Sequence, residues 1–144
     1  MNTKNGFTLV ELLFVLGILT VLLLLAVPIS TSSLEKQQEK QFLETFESDV
    51  LYIQAMASST PNSYYKIKFY ENEYELISGS GFTSSTIARQ YPPGWKFFIR
   101  PFREISFKPN GSIRRAGTID IRSEKAVYKA VFQPGKGRFY IARE

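Results

Sequence analysis

The sequence contains no cysteine and no histidine. Without cysteine there is no disulfide, no thiolate metal site and no thiol nucleophile. Without histidine the commonest general base and a principal zinc ligand are missing as well. Acidic residues number 13 against 18 lysines and arginines, and they are scattered. Glu71, Glu73 and Glu75 form the one local group, and Glu71 and Glu73 fall at an expected hairpin tip, where exposed turn charges are a better explanation than a carboxylate pair. The pair Gly79-x-Gly81 is followed by no Lys-Ser/Thr and so is no phosphate loop. There is no internal repeat and no low-complexity tail. These absences point away from an enzyme and from any resident cofactor or metal.

What the chain does have is one long apolar run. A short polar leader with a single lysine, Lys4, ends at Gly6, and residues 7–29 are then apolar apart from Thr8, Glu11, Gly17 and Thr20. About 20 apolar residues span a bilayer's hydrocarbon core as a helix, so residues 7–29 are expected to be membrane-spanning. Lys4 precedes the run and nothing basic follows until Lys36, which places the N-terminus in the cytoplasm and the rest of the chain outside. A carboxylate at the centre of such a helix costs roughly 2.5–3.5 kcal/mol, less near the interface, and marks a functional candidate. Glu11 is that candidate. A secretory signal would have a shorter apolar region ending in a small-residue cleavage site. Here Leu25-Ala26-Val27-Pro28-Ile29 offers none. Pro28 removes a backbone hydrogen bond and predicts a helix kink.

Beyond residue 29 the composition changes. Ser30-Thr31-Ser32-Ser33 leaves the apolar run, and Leu34, Phe42, Phe46, Val50, Ile53 and Ala57 recur mostly at spacings of three and four. This is an amphipathic helix over residues 30–58 whose stripe should pack onto a sheet. Residues 64–144 are expected to be β-rich. A hairpin is predicted over 64–70 and 73–77, a flexible loop over 78–85, and further strands over 87–91, 95–100, 104–108, 117–122, 126–133 and 138–142. Pro92-Pro93-Gly94, Pro109-Asn110-Gly111 and Pro134-Gly135-Lys136-Gly137 supply the turns. The fold class is α+β: a long N-terminal helix, membrane-spanning in its first half and amphipathic in its second, packed on an antiparallel β-sheet domain. With no disulfide, the domain must be held by its core, and 15% aromatic residues make that feasible.

Glycine at residue 6, phenylalanine at 7 and glutamate at 11, set at the head of the apolar run, resemble the class III signal of type IV pilins and pseudopilins. That resemblance implies a prepilin peptidase that cuts between Gly6 and Phe7, removes residues 1–6 and methylates the new N-terminus on Phe7. It assigns Glu11 to assembly, neutralising the α-amine of a neighbouring subunit in the filament core. A charge pair there would also fix axial register, since either charge buried alone is costly. A narrower resemblance follows from Phe107-x-x-x-Gly111, Gly117-Thr118 and Gly135-Lys136-Gly137-Arg138. These are similar to the minor-pilin group that includes the competence pseudopilins and the H-type pseudopilins of general secretion.

The resemblance implies a minor structural subunit of a competence pseudopilus that supports DNA uptake. Two alternatives stay open: an H-type subunit of a type II secretion system, and a tip subunit that binds DNA directly. The implied partners are other major and minor pseudopilins, the prepilin peptidase and, indirectly, an assembly ATPase and a platform membrane protein. Before assembly the chain would sit in the cell membrane, and afterwards on the extracytoplasmic side in the pseudopilus. For direct DNA contact the candidates are Arg114, Arg115, Lys136, Arg138 and Arg143, with Phe139 and Tyr140 beside them, because basic residues interleaved with aromatics can hold a phosphate backbone. The competing role for the same residues is a solvated edge that discourages strand aggregation.

Overall fold

The structure is a computed structural model that describes residues 8–26, 28–60, 62–99, 103–135 and 137–144, with side chains described at all of these except 25, 26 and 28–33. It forms two compact units, Met1–Gln41 and Phe42–Glu144. The elements run α1 (Leu9–Ala26), α2 (Pro28–Ser59), β1 (Ser63–Phe69), β2 (Glu73–Ser80), β3 (Thr83–Gln90), β4 (Lys96–Ile99), β5 (Glu104–Ser106), β6 (Gly117–Arg122), β7 (Val127–Phe132) and β8 (Phe139–Arg143). The α+β class and the helix-then-strands order are those expected from the sequence.

The first helix is apolar on every side, and its side chains are exposed all round, large residues from Leu9 to Leu24 showing between 50% and 76% of their surface. Its 18 residues span about 27 Å at 1.5 Å per residue. Among the described residues no helix is long and apolar enough to cross a membrane, so the membrane-spanning half of the expected fold is not met by the structure. The kink is expected at Pro28, which opens the second helix; Val27 beside it lies outside the described residues. The second helix opens on Pro28, a first-turn position where proline's missing N–H is no loss.

From Phe42 onward α2 belongs to the second unit, and there the predicted stripe is buried: Phe46, Val50, Ile53 and Ala57 are core residues and Phe42 packs against them half-buried, whereas Leu34, expected in the same stripe, is exposed. Two sheets, not one, complete that core. One has the order β3-β2-β1-β5 and the other β4-β6-β7-β8, all neighbours antiparallel. The chain changes sheet at Tyr91-Pro92-Pro93-Gly94, where two prolines end the ladder and Gly94 takes a φ of 79°. Alternation along β1, β2, β6 and β7 turns Tyr65, Ile67, Phe69, Tyr74, Leu76, Ile119, Ile121, Tyr128, Ala130 and Phe132 inward. An aromatic cluster joins the three layers. The Phe46 ring lies 5.5 Å from Tyr74 and 5.6 Å from Phe97, and Phe97 stacks on Tyr91 at 4.4 Å. Truncating Phe46 to alanine removes packing worth about 3–5 kcal/mol.

The loop expected over 78–85 is not a loop. Strand β2 continues to Ser80, Gly81 (φ 58°) and Phe82 make a two-residue turn, and β3 pairs back without interruption from Ser80↔Thr83 to Glu73↔Gln90. Its serines and threonines suggested a loop, but a glycine at the first turn position suits a tight hairpin, and backbone pairing needs no apolar side chain.

Among the described residues one charged side chain is buried. Asp49 on α2 accepts a hydrogen bond from the Tyr74 hydroxyl at 2.8 Å and from Arg89 Nε at 3.2 Å, so the helix is tied to β2 and β3 together. Burial, then the hydrogen bond to Asp49, raise the Tyr74 hydroxyl far above the usual tyrosine value, and burial with nearby Glu73 raises Tyr91 similarly. Both keep their protons in the folded chain at pH values where the unfolded chain releases them. Stability is therefore fully present below about pH 10 and declines as pH rises above it. Urea unfolding at pH 7, 9 and 10.5 should show that decline. Tyr74→Phe should flatten it while costing about 1–3 kcal/mol at pH 7 through the lost hydrogen bond to the buried Asp49 carboxylate, which keeps its bond to Arg89. An unchanged midpoint at pH 10.5 would contradict the assignment.

Candidate functional site

The N-terminal segment is organised by a polar cap on an apolar helix. Thr8 precedes α1 and Glu11 lies in its first turn. The Glu11 backbone N–H donates to Thr8 Oγ1 at 3.3 Å, while Glu11 Oε2 accepts from the Thr8 backbone N–H at 3.2 Å and its hydroxyl at 3.1 Å. This is a capping box, in which threonine and a glutamate three residues on satisfy each other's orphan N–H groups. A carboxylate there also complements the positive end of the helix dipole. Both of these bonds use Oε2, and among the described residues the second oxygen accepts no hydrogen bond. The carboxylate is thus held at the end of the helix where cleavage after Gly6 would create an amine. Gly6 and Phe7 themselves lie outside the described residues. Thr8 was not among the expected site residues, although Thr-x-x-Glu ahead of an apolar run is a recognisable start signal.

Along the rest of α1 the surface is hydrocarbon. The Thr20 hydroxyl donates to the Leu16 carbonyl at 2.8 Å, which hides the one other polar side chain. Glycine at 17 has nothing within 4 Å of where a Cβ would sit, so it offers a shallow place for close helix approach. Such a cylinder needs a nonaqueous surrounding, either lipid or other helices.

The basic candidates divide. Arg114 and Arg115 follow Ile113 in the segment between β5 and β6, and Arg138 precedes β8; all are exposed. These two segments meet at their glycines: a Cβ on Gly137 would lie 2.2 Å from the Gly111 carbonyl oxygen and 2.4 Å from Gln54 Nε2. Gln54 on α2 donates to that same Gly111 oxygen at 2.9 Å. Both glycines have positive φ, 75° at Gly111 and 68° at Gly137, a conformation that side chains resist. The glycines of the Phe-x-x-x-Gly and Gly-x-Gly-Arg patterns therefore serve to dock two loops on one helix. No sequence signal singled out Gln54. Arg114 lines a cleft of about 300 Å³ with Tyr64, Lys66 and Glu104. Arg143 stands apart, paired with Tyr128 at the far end of β8, about 17 Å from Arg138 along the strand. Lys136 lies outside the described residues. Among the described residues no group of acidic side chains could hold a metal ion.

Comparison with known proteins agrees with the N-terminal geometry. Residues 1–27 match the family described as the prokaryotic N-terminal methylation motif. Over 145 aligned positions the chain is 26% identical to the competence protein ComGD of Bacillus subtilis (strain 168), covering 100% of this chain and 97% of that protein. No solved structure matches.

Replacing Gly137 with alanine should cost at least about 2 kcal/mol, combining left-handed backbone strain of 1–2 kcal/mol with the clash at Gly111. Gly81→Ala carries similar left-handed strain (φ 58°) but meets no atom within 4 Å, and should cost less. Equal urea midpoints for the two variants would show that the loop contact contributes nothing.

Proposed function

We propose that this type IV pilin-like chain is a minor structural subunit of a competence pseudopilus and supports DNA uptake. The carrying observation is the exposed apolar helix Leu9–Ala26 headed by a capped Glu11. Similarity to a competence protein over the full chain favours the competence machine over a type II secretion system. In this reading the precursor is anchored in the cell membrane by the apolar sequence of residues 7–29, with its N-terminus in the cytoplasm. The prepilin peptidase then cuts between Gly6 and Phe7 and methylates Phe7. On assembly, α1 exchanges lipid for the helices of other major and minor pseudopilins. The amine of Phe7 in one subunit meets Glu11 of another, so two charges that would each be costly in an apolar core are buried together. The assembly ATPase and platform protein act from outside this chain, and the chain itself is not an enzyme.

Direct DNA contact is a secondary part of the reading. It is supported by the meeting of the Arg114–Arg115 and Arg138 loops at Gly111 and Gly137, and it leaves Arg143 out.

Glu11→Gln separates cap from charge, because glutamine at this position also completes a capping box. The variant should be processed normally yet fail to enter filaments. A buried pair deprived of one partner loses about 3–5 kcal/mol, enough to lower transformation frequency by ~100-fold or more relative to the wild-type chain. Wild-type transformation by Glu11→Gln would show that the carboxylate's charge is not used. Loss of protein secretion with transformation intact, on deleting the chain, would assign it to the other machine.

A further inference from the structure

Strand β3 is the outer strand of its sheet and is exposed along all 8 residues. Its pairing with β2 is continuous and has no bulge. Just beyond its end the Tyr91 N–H donates to the Asn72 carbonyl at 2.9 Å. Hydrogen-bonded pairs alternate along an antiparallel ladder, so the odd-numbered residues of β3 bond to β2. The N–H and C=O groups of Ser84, Thr86, Ala88 and Gln90 therefore point out to the open edge.

Protein edges normally carry a device that prevents pairing: shortness, a lysine, a proline or a bulge. The other described sheet edges have one. Strand β5 has 3 residues, β4 has 4 and begins at Lys96, and β8 has 5 and ends at Arg143. Strand β3 has none of these. Its single charge, Arg89, is turned onto Asp49, and no charged residue occurs between Leu76 and Ala88. In a chain of formal charge +5, this is a stretch where two copies meet without repulsion.

We propose that β3 pairs antiparallel with β3 of a second copy of this chain, about a two-fold axis at Ile87. In that register Ile87 faces Ile87, Thr86 faces Ala88, Ser84 faces Gln90 and Arg89 faces Ser85, so no like charges are opposed. The outward N–H and C=O groups of the even-numbered residues become the hydrogen-bonded pairs. Ile87 shares a sheet face with its partner Leu76, yet 45% of its surface is exposed. Across the axis the two isoleucines form a non-hydrogen-bonded pair with Cα atoms about 4.5 Å apart, the closer of the two antiparallel spacings. Self-complementarity favours a second copy over a foreign strand, which would have to supply both an apolar residue opposite Ile87 and an uncharged edge. The contact closes on itself and stands independently of the filament reading.

The absence of native cysteine makes the test direct. Full-length chain carrying Ile87→Cys is oxidised mildly in its own membrane, with Ser84→Cys as register control, and products are identified by non-reducing electrophoresis and mass spectrometry. Cα atoms at this spacing can be bridged by a disulfide. Ile87→Cys should give a disulfide homodimer, and Ser84→Cys at least about tenfold less, since its counterpart in this register is Gln90. Adding Thr86→Pro removes one outward N–H without breaking a bond to β2, and should abolish the dimer. Absence of an Ile87→Cys homodimer, equal yields at both positions, indifference to Thr86→Pro, or a disulfide to a different protein would each overturn the proposal.

Discussion

Burial of apolar surface is the constraint on which everything else in this chain depends, and its two helices meet it in opposite ways. The stripe of α2 finds its cover within the chain, where Phe46, Val50, Ile53 and Ala57 are buried. The surface of α1 does not. Thirteen large apolar side chains from Leu9 to Leu24 stand exposed, and at about 1.5–3 kcal/mol for each large side chain taken out of water they supply a strong drive toward lipid or toward other helices. A chain with one self-sufficient unit and one unsatisfied helix is built to be held by its surroundings.

The polar groups of α1 are arranged so as not to oppose that drive. Thr20 bonds back to Leu16, and Glu11 and Thr8 satisfy each other. What remains is a single carboxylate charge at the head of the helix. In a nonaqueous setting such a charge needs a cation beside it, and in the proposed reading that cation is the α-amine that processing would create on another subunit. The second unit needs no such partner. Its aromatic cluster, the Asp49–Tyr74–Arg89 tie and the docking of two glycine loops against Gln54 hold helix and both sheets together.

Much of this was legible from the sequence, for identifiable reasons. The stripe of α2 follows a 3.6-residue period, and Pro109-Asn110-Gly111 and the Gly135–Gly137 turn are marked by residues with special backbone freedom. Strands β6, β7 and β8 were located to within a residue because alternation and turns agreed. Serine and threonine concealed the first half of β3, whose pairing is carried by backbone, while the strand expected over 87–91 meets its second half. The split into two sheets depends on the chain crossing after β3, returning for β5 and crossing again before β6, which no local pattern encodes. Asp49 could not be told apart from the charged face of its helix until Tyr74 and Arg89 were brought to it from distant strands. The basic residues were counted as one group by composition, whereas the topology sets Arg143 apart from Arg114 and Arg138.

The most direct test of the central claim is the intact mass of the chain recovered from membranes of cells with and without an active prepilin peptidase. Pilin-type processing predicts a mass lacking residues 1–6 and carrying one extra methyl group on Phe7, seen only when the peptidase is present. A chain that stays uncut beside an active peptidase would contradict it, because no amine would then exist for Glu11 to meet and the apolar helix would be an anchor alone.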